Sequence, residues 1–199
     1  MKALELSREI LQKEIVLERT ASRAIGLFCF IILTALGAHI RMPLPFTPVP
    51  ITLQTFFVLL SGAVLGKKWG AASQMSYLFL GASGMPIFSA GKTGAAWLFG
   101  PTGGYIIGFV VTSWLAGRMI QGRGGSNMAW IAFAMAAASL AGIYLFGLLG
   151  LSLFLRCNLA KAMALGFLPF LPGDTIKIIA AGFVYSKIQK RCGEIFGPC

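Results

Sequence analysis

The sequence predicts an all-α, polytopic membrane protein with six transmembrane helices. Of its 199 residues, 57% are hydrophobic and only 12% are charged, whereas about 25% of the residues in ordinary soluble domains are charged. A helix needs about 20 mostly apolar residues to cross a bilayer. Six apolar runs of about this length follow one another, at about 24–40, 49–66, 70–88, 101–120, 128–155 and 168–187.

The segment before the first apolar run is rich in charge. Leucine and isoleucine recur between the charged residues of 1–22, a spacing compatible with a cytoplasmic amphipathic helix that contacts membrane lipid. Glu5, Glu9 and Glu14 argue against a signal peptide, whose first region is basic and precedes a short apolar core. We therefore predict this segment, a six-helix membrane domain at 23–188 and a short cytoplasmic tail at 189–199.

Charge, proline or glycine separates each apolar run from the next. The first run ends before the proline-rich segment 41–50, RMPLPFTPVP, which cannot continue a helix because proline lacks a backbone N–H and fixes φ. Lys67 and Lys68 end the second run, and glycines with Pro86 interrupt the third. Pro169 and nearby glycines interrupt the approach to the sixth, so the third and sixth runs have the least sharply marked boundaries.

The basic residues fall mainly on one side of the predicted spans, and an excess of lysine and arginine marks the cytoplasmic side. With a cytoplasmic N-terminus, the twelve inside positions are Lys2, Arg8, Lys13, Arg19, Arg23, Lys67, Lys68, Arg118, Arg123, Lys187, Lys190 and Arg191. The four outside positions are Arg41, Lys92, Arg156 and Lys161. We therefore expect both termini on the cytoplasmic side of the inner membrane.

Composition and motifs exclude several classes of function. The net charge of +11 does not indicate a nucleic-acid partner, because the basic residues punctuate the apolar runs and form no compact patch. No CxxC pair occurs, and His39 has no Cys, Asp or Glu within four residues, so no metal or other cofactor is expected. GxSxG, HExxH and P-loop motifs are also absent from the sequence, which argues against an enzyme.

One pair of charged residues lies inside the sixth apolar run. Asp174, the only aspartate of the chain, lies at its outer end, and Lys177 follows three residues later. Residues three apart share a helix face, and ionisable residues in a span usually face a cavity or a partner. Two interpretations remain: a structural ion pair, or a ligand site whose ammonium binds a carboxylate and whose carboxylate accepts from N–H donors.

Two further segments are candidates for the walls of a pocket. Thr52 and Gln54 follow the proline-rich segment and carry hydrogen-bonding groups, so that segment is either a connector or a stiff wall over an outward-facing pocket. The stretch 84–105 is rich in glycine, which allows a backbone to approach a ligand or another helix closely. Helix packing is the more ordinary use of such glycines.

Five motifs occur in order along the chain: PFTPVPITLQT, LSGAVLG, GMPIFSAGKTG, GPTGGY and FLPGDTIK. Together, from about Phe46 to Lys177, they resemble the BioY family, the biotin-specific S-components of energy-coupling factor (ECF) transporters. The resemblance implies the six-helix S-component fold and high-affinity biotin binding near the outer face. It also implies partnership with a transmembrane coupling protein and two cytoplasmic ATPase subunits.

The resemblance also implies roles for individual residues. Asp174 and Lys177 match the family's biotin-contacting aspartate and lysine, and Gln54 and Tyr105 match motif residues near the same pocket. The ureido ring and carboxylate of biotin suit polar contacts of this kind. Some members have asparagine where this sequence has Lys92, and here the lysine is expected to add a positive group near the ligand carboxylate.

Docking of the coupling protein is implied for the first span. S-components of this family use small residues there, and Thr34 and Ala38 have such a small-xxx-small spacing. Some members act without a coupling module, alone or as homo-oligomers, and the sequence leaves this open. It also leaves open an S-component for another carboxylated vitamin, and a membrane enzyme or assembly factor.

Overall fold

The computed structural model describes the backbone of residues 2–121 and 127–196, and the side chains from Leu17 onward within those ranges. The fold is mostly helical, at 82%. The long elements are α1 (Lys2–His39), α2 (Gln54–Ala82), α3 (Gly103–Gln121), α4 (Met128–Ser139), α5 (Leu145–Leu155), α6 (Leu159–Gly166) and α7 (Leu171–Phe196). Two short strands, β1 (Arg41–Met42) and β2 (Ile51–Thr52), pair antiparallel between α1 and α2.

Helix α2 consists of two segments, 54–65 and 67–82, that fold back on each other. The chain leaves helical geometry at Gly66, which has φ 82 and ψ 174. The amide of Gln54 donates to the hydroxyl of Tyr77 at 2.7 Å, whereas residues 23 positions apart in one straight helix would be about 34 Å apart. The second and third apolar runs therefore form a tight antiparallel hairpin, and its turn precedes Lys67 and Lys68.

Four helical stretches of the described chain are long and apolar enough to cross a membrane: Leu17–His39, Gly103–Gln121, Met128–Leu155 and Leu159–Phe196. The third contains α4 and α5, joined by a π-helical turn at Leu140–Tyr144. The fourth contains α6 and α7. The chain is thus a multi-pass helical membrane protein, although the two segments of α2 are each shorter than the about 20 residues of a typical span.

The ends of several helices differ from the predicted boundaries. Helix α2 begins at Gln54 rather than at 49, because prolines occupy the preceding turn. It ends at Ala82 rather than at 88, and Gly84 then takes a φ of 113 in the left-handed region. Helix α7 begins at Leu171 rather than at 168 and continues to Phe196 rather than ending at 187.

The two predicted cytoplasmic segments continue the outermost helices. Helix α1 runs from Lys2 to His39 without a break at position 22, and α7 includes most of the predicted tail. The side chains of 1–16 and all of 197–199 lie outside the described residues. The location of both segments beside the membrane stays a prediction.

The interior holds two clusters of buried apolar side chains. One cluster joins α1, both segments of α2, α3, α4 and α7, with Leu59, Ile131 and Met135 fully buried. The other includes Tyr77 and Phe88, whose rings meet edge to face with centroids 5.7 Å apart. This second cluster holds the loop after α2 against the helices and forms the base on which the site is built.

Candidate ligand-binding site

A cavity of about 540 Å³, including its mouth, opens where β2, the start of α2, α3 and the start of α7 converge. The lining residues are Val49, Pro50, Thr52, Gln54, Thr55, Ser89, Thr102, Tyr105, Ile106, Phe109, Ile143, Tyr144, Phe170, Asp174 and Lys177. The exposed surface of the walls is mainly apolar, and polar side chains are set into it, as in sites that bind organic molecules.

Five residues that the sequence singled out line this one cavity, although they are far apart in the chain. They are Thr52, Gln54, Tyr105, Asp174 and Lys177. The hairpin of α2 explains part of this arrangement, because it holds the start of α2 beside α3 and α7. The predicted grouping of these residues therefore agrees with the structure, while their contact with a ligand stays a prediction.

The charged pair of α7 lies in the wall of the cavity. The ammonium of Lys177 is 2.8 Å from Oδ1 of Asp174, and these residues are only 9% and 6% exposed. Asp174 is in the first turn of α7, where the helix dipole stabilises a negative charge. The two charges neutralise each other, which makes their burial tolerable, and both remain at the cavity surface. The structure therefore contains the ion pair, while a ligand site at the same two residues stays a prediction.

Tyr144 is a member of the site that the sequence analysis missed. Its hydroxyl donates to Oδ2 of Asp174, so both carboxylate oxygens have a partner. Tyr144 ends the π-helical turn, and such turns often occur at functional sites. Thr112 supports this turn, because its hydroxyl accepts from the backbone N–H of Ile143 at 2.9 Å and donates to the carbonyl of Ala138 at 3.2 Å. A lone tyrosine in an otherwise apolar run was the available signal.

Gln54 lies at the centre of a hydrogen-bonded chain that ties the cavity wall to the loop after α2. Thr52 donates to its Oε1 at 3.2 Å, and its Nε2 donates to the hydroxyl of Tyr77 at 2.7 Å. Tyr77 in turn donates to the carbonyl of Ile87 at 2.9 Å. Gln54 therefore holds the two segments of α2 and the following loop in register, besides lining the cavity.

The loop between α2 and α3 closes one side of the cavity. Phe88 anchors it, because its ring lies directly against the backbone of Gly81, where any Cβ would overlap the ring. The hydroxyls of Ser89 and Thr102 line the cavity and are buried without a hydrogen-bond partner in the described structure. Buried polar groups normally have a partner, so these two hydroxyls are available to a ligand or to water.

Tyr105 contributes its ring to the cavity, while its hydroxyl donates to the carbonyl of Gly166 at 2.9 Å. We expect Tyr105→Phe to leave that buried carbonyl unpaired, at a cost of about 1–3 kcal/mol. At about 2–4 °C per kcal/mol for a chain of this size, the unfolding temperature should fall by about 2–12 °C. Ser83→Ala is the control, because it removes an exposed hydroxyl bonded to its own helix at Phe79. Equal unfolding temperatures for wild type and Tyr105→Phe would contradict this role.

Lys92 is the one predicted ligand residue that lies outside the cavity. It lines a neighbouring depression of about 500 Å³, here called the outer groove, together with Arg41, Pro43, Leu44, Thr47, Pro48, Pro50, Ser89, Ala90 and Trp97. Its ammonium lies 5.6 Å from the centre of the Trp97 ring. The backbone of Lys92 pairs with that of Phe88, and the lysine lines the groove rather than the cavity that holds the Asp174–Lys177 pair.

The predicted docking residues of α1 are inside the protein. Thr34 and Ala38 are both 0% exposed, and the hydroxyl of Thr34 bonds to Phe30 and Gln74. Their small size serves close packing of α1 against α2 within the chain, and docking of a coupling protein at these two residues stays a prediction. The exposed face of α1 carries large apolar side chains instead, including Phe28, Ile32 and Leu36.

Comparison with known proteins agrees with this geometry. Residues 11–194 match the BioY family. A biotin transporter BioY of Thermotoga maritima is 40% identical over 161 residues, covering 81% of this chain and 92% of the relative. A probable biotin transporter BioY of Pyrococcus horikoshii is 41% identical over 160 residues, covering 80% of this chain and 91% of the relative.

A solved structure is also similar over most of its length. It is a 2.1 Å crystal structure of the S-component for biotin from an ECF-type ABC transporter, with a TM-score of 0.80 and 26% identity. The match covers 87% of this chain and 93% of that one. With the family match extending over nearly the whole sequence, the chain belongs to the BioY family.

Proposed function

We propose that this protein is the membrane subunit that captures biotin near the outer face and mediates its uptake across the cytoplasmic membrane. The observation that carries the proposal is a mainly apolar cavity with one buried acid–base pair, Asp174 and Lys177, in its wall. Biotin combines an apolar thioether ring and alkyl chain with a polar ureido group and a carboxylate. A site for biotin therefore needs both apolar and polar lining residues. The relatives named as biotin transporters support the same ligand.

The geometry of the pair favours the ureido group as its partner. Lys177 and Asp174 are in direct contact at 2.8 Å, so a ligand carboxylate on Lys177 would lie close to the carboxylate of Asp174 and be repelled. A ureido group carries N–H donors next to a carbonyl acceptor and is neutral. We therefore place its N–H groups on Asp174 and its oxygen on Lys177, with the bicyclic ring between apolar walls such as Phe109 and Phe170.

We propose six spans, with both termini on the cytoplasmic side. The four long helical stretches supply four spans, and the two segments of α2 supply the remaining pair. The first of these segments begins, and the second ends, at loops beside the cavity, which suits a site open toward one side of the membrane. The excess of lysine and arginine on one side, twelve against four as counted along the sequence above, supports the orientation.

Energy for uptake is proposed to come from separate chains, a transmembrane coupling protein and two cytoplasmic ATPase subunits. The similar crystal structure comes from a transporter of the ECF type, which supports such a partnership. The chain itself acts as a binding subunit and not as an enzyme. Biotin uptake by a transport-deficient host, with and without a coupling module, distinguishes a coupled subunit from one that works alone or as an oligomer of itself.

Ligand identity is tested by titrating the purified protein with labelled biotin and competing with dethiobiotin, lipoate and thiamine. We expect biotin to saturate one site per chain, dethiobiotin to compete because it keeps the ureido ring, and thiamine not to compete. Lipoate shares the carboxylate and alkyl chain but has no ureido group, so it should compete weakly. Displacement by lipoate or thiamine as effective as that by biotin would indicate another vitamin as the ligand.

A further inference from the structure

The outer groove contains two cations that the site described above does not use. We infer that Arg41 and Lys92 form a carboxylate subsite there, which holds the acid end of the ligand while the Asp174–Lys177 pair holds its other polar end. The inference rests on the proposed function. It assigns to the groove the one charged group of the ligand that the buried pair is poorly suited to accept.

Charge supports this assignment. Arg41 and Lys92 are both exposed, and neither has an acidic partner among the described side chains, whose acids are Glu18, Asp174 and Glu194. Asp174 is already paired with Lys177. Two cations in the same groove without a counter-charge attract anions, and low-dielectric walls strengthen that attraction.

Both cations are attached to rigid parts of the loop structure. Arg41 is paired with Thr52 in the β1–β2 ribbon, and Thr52 lines the cavity. The N–H of Phe88 donates to the carbonyl of Lys92 at 3.1 Å, and the Phe88 ring is fully buried. The ring of Trp97 lies under the Lys92 ammonium. Backbone pairing therefore fixes the backbone positions of Arg41 and Lys92. When an anion binds, only their side chains have to become ordered.

The outer groove and the cavity adjoin each other. Pro50 and Ser89 line both, so the boundary between them is a shared edge. An elongated ligand with its ring in the cavity can pass its alkyl chain over this edge. A terminal carboxylate then reaches the two cations and stays at a distance from the carboxylate of Asp174.

The test compares a double variant of the subsite with a matched double variant elsewhere. Arg41→Gln/Lys92→Gln removes the groove cations, whereas Arg156→Gln/Lys161→Gln makes the same charge change at residues that line neither the cavity nor the groove. The probes are biotin and biotinamide, its neutral amide. Arg41→Gln/Lys92→Gln should weaken biotin binding about three- to thirtyfold, the range for two exposed charge contacts, and change biotinamide binding less than about twofold. The control variant should bind both probes as the wild type does.

Each other outcome overturns the inference in a recognisable way. Equal weakening of biotin and biotinamide would mean that the two residues act on the shape of the site and not on the carboxylate. Equal loss in the control variant would mean that net charge alone attracts the ligand. Unchanged biotin affinity in Arg41→Gln/Lys92→Gln, with normal binding by the wild type, would contradict the carboxylate subsite and leave the proposed function intact. Failure of the wild type to bind biotin would contradict the proposed function, and the subsite with it.

Discussion

Lys177→Met is expected to weaken biotin binding by about 10- to 150-fold, since a charge-assisted hydrogen bond contributes about 1.5–3 kcal/mol and each 1.4 kcal/mol is about a factor of ten. The ammonium is the only cation lining the cavity among the described residues, and the methionine side chain keeps a similar length without the charge. Binding of labelled biotin to the purified, detergent-solubilised protein measures the effect.

Controls separate loss of the contact from loss of the fold. Lys161→Met removes an exposed lysine that does not line the cavity and should bind biotin normally. Because Lys177→Met leaves the Asp174 charge buried with only Tyr144 as a hydrogen-bond partner, it also destabilises the protein. The double variant Asp174→Asn/Lys177→Met removes both charges and should fold better while still binding biotin weakly. Wild-type affinity in both variants would rule out the pair as the site.

Gly62→Val is expected to disrupt the packing of α2 against α3. A Cβ at Gly62 would overlap the carbonyl oxygen of Ser113 and come within 3.1 Å of the backbone N–H nitrogen of Gly117. Both obstacles are backbone atoms, so no side chain can move aside to make room. Close backbone approach through small residues is how helices commonly associate in membranes, and overpacking costs about 1–3 kcal/mol or more.

The measurement for Gly62→Val is thermal unfolding of the purified protein, with the yield of monodisperse protein as a second reading. Gly193→Val is the matched control, because a Cβ at Gly193 in α7 meets nothing within 4 Å. We expect a clear drop in unfolding temperature or yield for Gly62→Val and nearly wild-type behaviour for Gly193→Val. Similar behaviour of the two variants would contradict the close contact between α2 and α3.

Much of this architecture could be predicted because a bilayer restricts what an apolar chain can do. Helical character, multiple membrane crossings and a paired Asp174 and Lys177 all follow from the cost of polar groups in hydrocarbon. The hairpin of α2 was harder to predict from the sequence, because its turn needs only the positive φ of Gly66 and no long loop. Hydropathy located the break but could not show how short the two segments are.

The placement of individual residues was harder to predict than the fold. Thr34 and Ala38 have small side chains, and small size alone does not show whether a residue packs inside the chain or against another protein. Lys92 belongs to the same motif as Ser89, which lines the cavity, but Lys92 itself lines only the outer groove. Tyr144 reaches Asp174 from another helix through a π-helical turn, which a regular helical period does not anticipate.

A structure of the protein with biotin bound is the most direct test of whether the buried Asp174–Lys177 pair of α7 binds the ligand. We predict the ureido group at hydrogen-bonding distance, about 2.7–3.2 Å, from both Asp174 and Lys177, with the bicyclic ring inside the cavity. Biotin bound elsewhere, or bound in the cavity with the Asp174–Lys177 pair untouched by the ligand, would contradict the account.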